Sequence, residues 1–256
     1  MHLKERLTSG ECVIGAGIYS GSVEMIEYTT EGMDWIWLEA QHTHPNWESL
    51  VYGVRTAYTR RIPTLLRTWT HDPGTIERLL DTGAEGIIVP MVNTPEQAEQ
   101  IVSHCYYPPV GIRSYGSLRT EIIEKDTAEW NKRIITIMMI ETPEAMENAE
   151  AIANVDGVDG LLLGASDLSL GRGRFTDSKT AHDMIPKDVE YLAQVCKNTG
   201  TAAATIALTG QALIERMQQG YQLICAGVDV DHVRDQNKMM RDVFKKGKGL
   251  LGSTCV

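Results

Sequence analysis

Residues 138–170 read MMIETPEAMENAEAIANVDGVDGLLLGASDLSL and contain two short apolar runs, each followed by a carboxylate. The first run stops at Glu141, and the second, Gly160–Leu163, is followed closely by Asp167. Short apolar runs with little alternation are typical of parallel strands that are buried on both faces. Residues that follow neighbouring parallel strands converge at one end of an α/β barrel, where the active sites of such folds lie. The segment therefore predicts a strand–helix–strand unit that brings Glu141 and Asp167 together.

The same alternation of apolar runs and helical periodicity extends in both directions from this segment. The predicted strands are Cys12–Ile18, Met33–Ala40, Ile62–Leu66, Gly86–Val89, Ile134–Ile140, Gly160–Leu163, Thr201–Ile206 and Leu223–Ala226. Such alternation implies a parallel sheet with right-handed crossovers. The chain has 256 residues, which suits an eightfold barrel of roughly 250 residues. We therefore predict an α/β protein with a single (β/α)8 TIM-barrel domain over residues 1–256.

Composition and charge exclude several classes of partner. The net charge of −10 argues against nucleic acid and against an anionic membrane surface as partners. No apolar stretch reaches the roughly 18 residues that a membrane span needs, and the charged start of the chain lacks a signal-peptide core. The five scattered cysteines are Cys12, Cys105, Cys196, Cys225 and Cys255. Their spacing indicates neither a zinc site nor a disulfide framework, so we expect a cytoplasmic protein.

Charged or titratable side chains follow four of the predicted strands. They are Glu39 and His42 after the second strand, Arg67 after the third, Glu141 after the fifth and Asp167 after the sixth. Taken singly, each has an ordinary explanation. A loop histidine is usually solvated, an arginine usually forms a salt bridge, and the last two carboxylates are also in place to N-cap the helices that follow them.

Taken together, these side chains form a coherent site on one face of the barrel. Two carboxylates suit a hard divalent cation such as Mg²⁺ or Mn²⁺. The cation and Arg67 would neutralise an anionic 2-oxo acid, and His42 could move a proton near neutral pH. No lysine lies at a strand end, which disfavours a Schiff base and favours an enolate that a metal ion stabilises.

Five segments that contain these residues resemble the HpcH/HpaI aldolases, the class II, divalent-metal-dependent pyruvate aldolases. The segments are WLEAQH (37–42), LLDTGAEGIIVPMVN (79–93), YPPVGIR (107–113), IET (140–142) and VDGVDGLLLGASDLS (155–169). The resemblance covers nearly the whole chain, from about Gly15 to Ala226.

The resemblance implies a metal site and a substrate site. Glu141 and Asp167 match the carboxylates that bind Mg²⁺, Mn²⁺ or Co²⁺ in the family. Arg67 matches the arginine that contacts the pyruvyl oxygen and stabilises the enolate. Backbone amides around Gly164 and Ser166 would hold the pyruvate carboxylate.

The resemblance also implies a proton-transfer network and an assembly. His42 would help to activate a water molecule as the base, with Glu39 as its acidic partner. Asp81, at the end of a helix, would support this network across a subunit contact. A homohexamer is implied, and the apolar residues of the predicted C-terminal helix Val230–Lys246 suggest that it packs on a neighbouring subunit. Packing across the base of its own barrel is the alternative.

The chain departs from the family pattern at four places. The family commonly has Asp at the position of Glu39, Glu at Gln41 and Gln at Met139, and it usually has Pro-Ala where Ala165-Ser166 stands. The metal pair and Arg67 match, so the departures concern the proton-transfer network and the distal end of the substrate.

These observations favour a metal-dependent aldolase that cleaves a 4-hydroxy-2-oxo acid into pyruvate and an aldehyde. An acyl-CoA lyase of the malyl/citryl type is a same-fold alternative, and the loop with Arg172 and Arg174 is its candidate CoA groove. A non-catalytic binding barrel is a third reading. The long irregular segment Tyr106–Arg119 is expected to be a lid, an interface or a solvated loop, and to select the aldehyde.

Overall fold

The computed structural model describes residues 2–116 and 118–251 and contains a closed barrel of eight parallel strands in sequence order. The strands are β1 (Val13–Ile18), β2 (Trp35–Glu39), β3 (Thr64–Arg67), β4 (Gly86–Val89), β5 (Ile135–Ile140), β6 (Gly160–Leu163), β7 (Ala202–Ile206) and β8 (Leu223–Val228). The predicted TIM barrel is confirmed, and the bounds of β4 and β6 match the prediction at both ends.

Helices alternate with these strands around the outside of the barrel. They are α1 (Leu3–Thr8), α2 (Val23–Thr29), α3 (Trp47–Thr59), α4 (Pro73–Leu80), α5 (Pro95–Cys105), α6 (Leu118–Ile123), α7 (Thr127–Arg133), α8 (Pro143–Glu147), α9 (Ala149–Ala153), α10 (Ala165–Gly171), α11 (Ala181–Met184), α12 (Pro186–Thr199), α13 (Gly210–Gln218) and α14 (Asp229–Leu251).

The short helices α6, α7 and α11 were not predicted, and one predicted helix is divided. The helix of the predicted strand–helix–strand unit is divided at Asn148, whose side-chain amide donates to the carbonyl of Asn93 (2.7 Å) and so ties the break to the loop after β4. The short helix α7 was missed, and it is held by Trp130, whose buried indole N–H donates to the carbonyl of Glu124 (2.9 Å). The break at Asn148 and the helix α7 each depend on a hydrogen bond made by a single side chain. The spacing of apolar residues in the sequence does not indicate such contacts.

The interior of the barrel is filled by side chains from all eight strands, and large ones dominate. The cluster includes Trp35, Trp37, Leu65, Ile88, Ile137, Met139, Leu162, Ala204 and Cys225. A side chain at Gly15 would overlap the Trp35 indole, so glycine on β1 makes room for tryptophan on the neighbouring β2. This packed layer forms the floor beneath the open carboxyl end of the barrel.

Helix α14 extends beyond the barrel. Every residue from 232 to 246 is exposed, including Val233, Met240, Val243 and Phe244. The alternative that this helix packs across the base of its own barrel is therefore wrong for the residues described.

Two further expectations concern cysteines and membranes. Cys12, Cys105, Cys196 and Cys225 are free thiols, while Cys255 lies outside the described residues, as does Ser117 of the long irregular segment. None of the helices described is both long enough and apolar enough to cross a bilayer.

Candidate active site

The carboxyl ends of the strands surround a cavity of about 290 Å³. Of the residues expected in the site, the cavity is lined by His42, Arg67, Glu141, Gly164, Ser166 and Asp167. Glu39 lies just outside the lining, where its side chain is fully buried. The barrel thus brings together side chains from β2, β3, β5 and β6 that are separated by more than a hundred residues.

Glu141 follows β5 directly and is held from two directions. Its Oε1 accepts the backbone N–H of Met91 (2.7 Å), and Met91 has a positive φ of 56°, a conformation that is uncommon without glycine. A Cβ at Gly164 would lie 2.7 Å from Oε2 of Glu141, so only glycine leaves room for the carboxylate there. Burial, opposed by the Met91 N–H and reinforced by the nearby Asp167, raises the pKa of Glu141 to about 7.

Neither carboxylate of the expected metal pair caps a helix. The N-cap of α8 is Thr142, whose side chain accepts the N–H of Ala145, and the N-cap of α10 is Gly164. Asp167 lies inside the first turn of α10 and is exposed at the cavity. The plain explanation of these two residues as caps is therefore wrong, and both carboxylates line the cavity instead.

Arg67, the last residue of β3, is bound tightly to Glu39 at the end of the neighbouring strand. The Nε of Arg67 donates to Oε2 of Glu39 (2.6 Å), and the guanidinium lies 5.0 Å from the centre of the Trp37 ring. Its Nη1 is 3.8 Å from the sulfur of Met139, where the resemblance leads one to expect glutamine. The side of the guanidinium that Glu39 does not hold remains for a substrate oxygen.

Glu39 contacts the main chain of the loop after β2 and not the ring of His42. Its Oε1 accepts the backbone N–H groups of Gln41 (2.6 Å) and His42 (2.9 Å), and its Oε2 also accepts the indole N–H of Trp37 (3.1 Å). Within the described part of the chain, the exposed His42 ring forms no hydrogen bond. The expected pairing of Glu39 with the imidazole is therefore replaced by a pairing with Arg67.

Gly164 and Ser166 were expected to offer backbone amides to a carboxylate. The N–H of Gly164 instead donates to the carbonyl of Ile140 (3.1 Å), which corrects that expectation for Gly164 and leaves it a steric role beside Glu141. Ser166 lies in the first turn of α10, where N–H groups have no acceptor within the helix.

Asp81 is the C-cap of α4 and does not belong to the lining of the cavity in its own chain. Its Oδ1 accepts from Nη2 of Arg113 (2.7 Å), and the Arg113 guanidinium lies 4.5 Å from the centre of the Tyr107 ring. Part of the long segment 106–119 thus holds Asp81 at the surface, where the side chain is 35% exposed.

The donor set at the cavity fits a divalent cation bound through oxygen. Among the described residues, no group of three or more His, Cys, Asp or Glu side chains converges on one point, so Glu141 and Asp167 would be the protein ligands. Mg²⁺ binds in this way, through one or two carboxylates, water and substrate oxygens. A cation would also stabilise the charged form of Glu141 against the two effects that raise its pKa, burial and the nearby Asp167.

Several contributors to the cavity could not be found from sequence. Met91 acts through its backbone N–H, which leaves no side-chain signal. Tyr19, Ser178, His182 and Asp231 reach the cavity from loops and from α11 and α14, and their spacing in the chain has no regularity.

Comparisons with known proteins agree with this fold and identify the family. A family model for the HpcH/HpaI aldolase/citrate lyase family matches residues 20–236. The 2-keto-3-deoxy-L-rhamnonate aldolase of Escherichia coli (strain K12) is 29% identical over 251 residues, which cover 96% of this chain and 93% of the relative.

Two solved structures are similar over nearly their full lengths. The citrate synthase SbnG has a TM-score of 0.85 and 29% identity, covering 96% of this chain and 98% of that one. An HpcH/HpaI aldolase from Desulfitobacterium hafniense DCB-2 has a TM-score of 0.89 and 24% identity, with coverage of 96% and 97%, and supports the fold alone. With its barrel, its strand-end carboxylates and a match across most of its length, the chain belongs to the HpcH/HpaI aldolase/citrate lyase family and is a class II aldolase, a carbon–carbon lyase.

Proposed function

We propose that this aldolase cleaves a 4-hydroxy-2-oxo acid reversibly into pyruvate and an aldehyde. The observation that carries the proposal is the convergence of Arg67 with the carboxylates of Glu141 and Asp167 on one cavity. A 2-oxo acid has adjacent carboxylate and ketone oxygens, and an arginine beside a cation site offers both the charge and the donors that these oxygens require. The name of the Escherichia coli relative, an aldolase of a keto-deoxy sugar acid, supports this substrate class.

Glu141 and Asp167 would hold the divalent cation, Mg²⁺, Mn²⁺ or Co²⁺. When bound, the cation supplies Lewis-acid polarisation of the 2-oxo group. The substrate carboxylate would lie against the first turn of α10, where the N–H of Ser166 has no acceptor within the helix.

Cleavage breaks the bond between C3 and C4 of the substrate. The proton of the 4-hydroxyl leaves, C4 becomes the aldehyde carbon, and the electron pair of the broken bond moves to C3 and the 2-oxo oxygen, giving the enolate of pyruvate. Arg67 would donate to that oxygen, where negative charge grows, and C3 then takes up a proton. His42, exposed at the cavity, would serve the proton steps through a water molecule.

We assign Glu39 to Arg67 and to the loop after β2. One buried carboxylate accepts from Nε of Arg67 and from the amides of Gln41 and His42, so it fixes the guanidinium and the backbone that carries the His42 ring. Its longer side chain, compared with the aspartate usual in the family, suits this bridging role.

The alternatives are not favoured. An acyl-CoA lyase would need a basic groove, and Arg172 of the candidate loop is paired with Asp188 (2.8 Å). The named relative is an aldolase, and the metal carboxylates and Arg67 together count against a non-catalytic barrel.

We also infer a homo-oligomer, with a hexamer as the form that the family resemblance implies. The inference is supported by α14, whose apolar residues Val233, Met240, Val243 and Phe244 are all exposed in the single chain. In an assembly, Asp81 at the surface could reach a neighbour's cavity. A cytoplasmic location is our inference from the four free thiols.

The test of the proposed activity needs no aldehyde. Exchange of the pyruvate methyl protons with D₂O, followed by NMR, reports enolisation alone. We expect exchange with Mn²⁺ or Mg²⁺ and its loss on addition of EDTA. Absence of exchange with every divalent ion tested would overturn the proposal.

A further inference from the structure

Tyr19 is a cavity residue that the proposed chemistry leaves unused. It follows β1 directly and lines the cavity together with the residues of the proposed site. Within the part of the chain that the structure describes, its hydroxyl forms no hydrogen bond and remains accessible. A phenol O–H that is unpaired in a cavity is available as a donor to a bound substrate.

The ring of Tyr19 is held in place by its surroundings. The backbone N–H of Tyr19 donates to Oδ1 of Asp229 (2.8 Å), a carboxylate that is buried at the start of α14. A Cβ at Gly17 would lie only 3.2 Å from Cε1 of the Tyr19 ring, so the glycine two residues earlier leaves room for the ring. The ring lies at a tilt to that of Trp37, with 6.4 Å between the two centres. The phenol is therefore positioned before a substrate binds, as electrostatic stabilisation of a reaction requires.

Burial decides the charge of this phenol. It raises the pKa of Tyr19 far above its usual value of about 10, and the positive charge of Arg67 opposes the effect only in part. Tyr19 therefore keeps its proton at neutral pH and is a hydrogen-bond donor and not a base. Arg67 is close enough for its charge to act on the phenol, which places Tyr19 near the group that would contact the 2-oxo oxygen.

The order of the strands places Tyr19 opposite the metal pair. In the closed barrel of eight strands, β1 lies across from β5, which ends directly before Glu141, and next to β2, whose loop carries His42. A 2-oxo acid that is bound through its oxygens at the metal pair and Arg67 has its C3–C4 bond directed away from them. The C4 oxygen would therefore come to the side of the cavity where His42 and Tyr19 lie.

The other polar side chains on that side of the cavity are less suited to stabilise a negative oxygen. They are Ser178, His182 and Asp231. The carboxylate of Asp231 would repel the growing charge, and Ser178 belongs to an exposed loop. Nε2 of His182 lies 2.8 Å from Oγ1 of the buried Thr205 on β7, and burial and the positive charge of Arg216 lower the pKa of His182 to about 4. The imidazole is therefore neutral and is anchored to β7, away from His42.

We propose that Tyr19 is a catalytic residue of the cleavage step and donates a hydrogen bond from its phenol to the C4 oxygen of the substrate. The proton of the 4-hydroxyl leaves through the water molecule beside His42, and negative charge grows on the C4 oxygen. The C3–C4 electron pair then moves to C3 and the 2-oxo oxygen, while Tyr19 keeps its own proton. In the reverse direction the same donor polarises the carbonyl group of the aldehyde. The inference rests on the proposed aldolase activity and gives the C4 oxygen a donor, as Arg67 serves the 2-oxo oxygen.

The test compares two reactions of the same enzyme, because only one of them involves a C4 oxygen. Exchange of the pyruvate methyl protons with D₂O forms the enolate without an aldehyde. Cleavage of 4-hydroxy-2-oxobutanoate or 4-hydroxy-2-oxopentanoate with Mn²⁺ also requires the C4 oxygen, and lactate dehydrogenase with NADH measures the pyruvate released. In Tyr19→Phe, kcat for cleavage should fall by about 10²–10³-fold, while the exchange rate should stay within about 2-fold of wild type.

Two further variants separate the hydroxyl from the ring. Tyr19→Leu also removes the ring beside Trp37, and if the hydroxyl carries the effect, this variant should lose about as much cleavage activity as Tyr19→Phe. Tyr52→Phe removes a hydroxyl from an exposed tyrosine on α3, outside the cavity, and should leave both rates unchanged.

Three results would contradict the assignment. Wild-type cleavage by Tyr19→Phe, with a loss in Tyr19→Leu alone, would mean that the ring only packs and the hydroxyl takes no part. An equal loss of exchange and cleavage in Tyr19→Phe would place the phenol at the enolate and not at the C4 oxygen. Either result overturns this inference and leaves the aldolase proposal standing, whereas absence of exchange in the wild type overturns both.

Discussion

The carboxylate of Glu39 lies 2.6 Å from the Nε of Arg67, and both side chains are buried at the end of adjacent strands. Removing one partner of a buried ion pair leaves the other charge uncompensated, which typically costs about 3–5 kcal/mol. Glu39→Gln and Arg67→Ala should therefore each lower the free energy of unfolding, and the double variant should lose less than the sum. Urea denaturation of all four proteins measures the coupling. Additive losses would contradict a direct pairing, and Asp235→Asn serves as the exposed control.

Loss of either metal carboxylate should abolish Mn²⁺ binding without unfolding the barrel. Glu141→Gln and Asp167→Asn each keep the side-chain volume and remove one of the two charged ligands. The affinity for Mn²⁺ should therefore fall by more than the roughly 10–100-fold that loss of a residue hydrogen-bonded to a metal ligand causes. Electron paramagnetic resonance of free Mn²⁺ gives the affinity, and circular dichroism checks the fold. Wild-type affinity in both variants would exclude this pair as the site.

Arg67→Ala should slow enolisation of pyruvate by about 10²–10³-fold, in the manner of other lost oxyanion donors. Arg67→Lys should recover only part of the rate, because an ammonium group cannot bind Glu39 and a substrate oxygen with the planar geometry of guanidinium. The exchange rate of methyl protons in D₂O is the measurement. If it is unchanged in Arg67→Ala, the donor to the enolate oxygen lies elsewhere.

His182 should make stability depend on pH in a defined window. Its pKa is about 4 in the folded chain, below its ordinary value of 6.5, so the unfolded chain binds the additional proton between these values. The contribution of neutral His182 to the free energy of unfolding is fully present above pH 6.5. It is lost as the pH falls towards 4 and amounts to about 3 kcal/mol. Thermal or urea unfolding of wild type and His182→Gln from pH 7.5 to 4.5 measures it.

The relevant quantity is the difference in the free energy of unfolding between wild type and His182→Gln at each pH, since other groups titrate in the same range. Glu141, with its pKa raised to about 7, has the opposite sign and contributes equally to both curves. Parallel curves for wild type and His182→Gln would mean that His182 is not buried in the neutral form.

Truncation of α14 after His232 should convert the assembly into smaller species. The cut keeps Asp229, which accepts the backbone N–H of Tyr19 (2.8 Å), and Asp231, which lines the cavity. It removes the rest of α14, in which every residue from 233 to 246 is exposed. Light scattering on both chains is the measurement. A monomeric intact chain would rule out the proposed oligomer, and an unchanged mass after truncation would place the interface elsewhere.

The fold was predictable from the sequence because each strand of a parallel barrel is buried on both faces and so has a continuous apolar run. The runs Gly86–Val89 and Gly160–Leu163 mark β4 and β6 at both ends, and the residues just beyond such runs, Arg67 and Glu141 among them, had to meet at one end of the barrel. Helix α7 and the break at Asn148 were missed, since single side-chain contacts decide them.

The sequence by itself determined which strands form, that they close into a barrel, and which carboxylates and arginine lie at its open end. Only the tertiary structure decided what each group contacts there: Glu39 binds Arg67 and not the His42 ring, the Gly164 amide is taken by Ile140, and His182 joins the cavity from another loop. The pattern of apolar residues is a local property of the chain, and burial of these residues stabilises the strands that the pattern predicts. Hydrogen-bond partners are selected by geometry across the barrel, between residues whose distance in sequence has no relation to their distance in space.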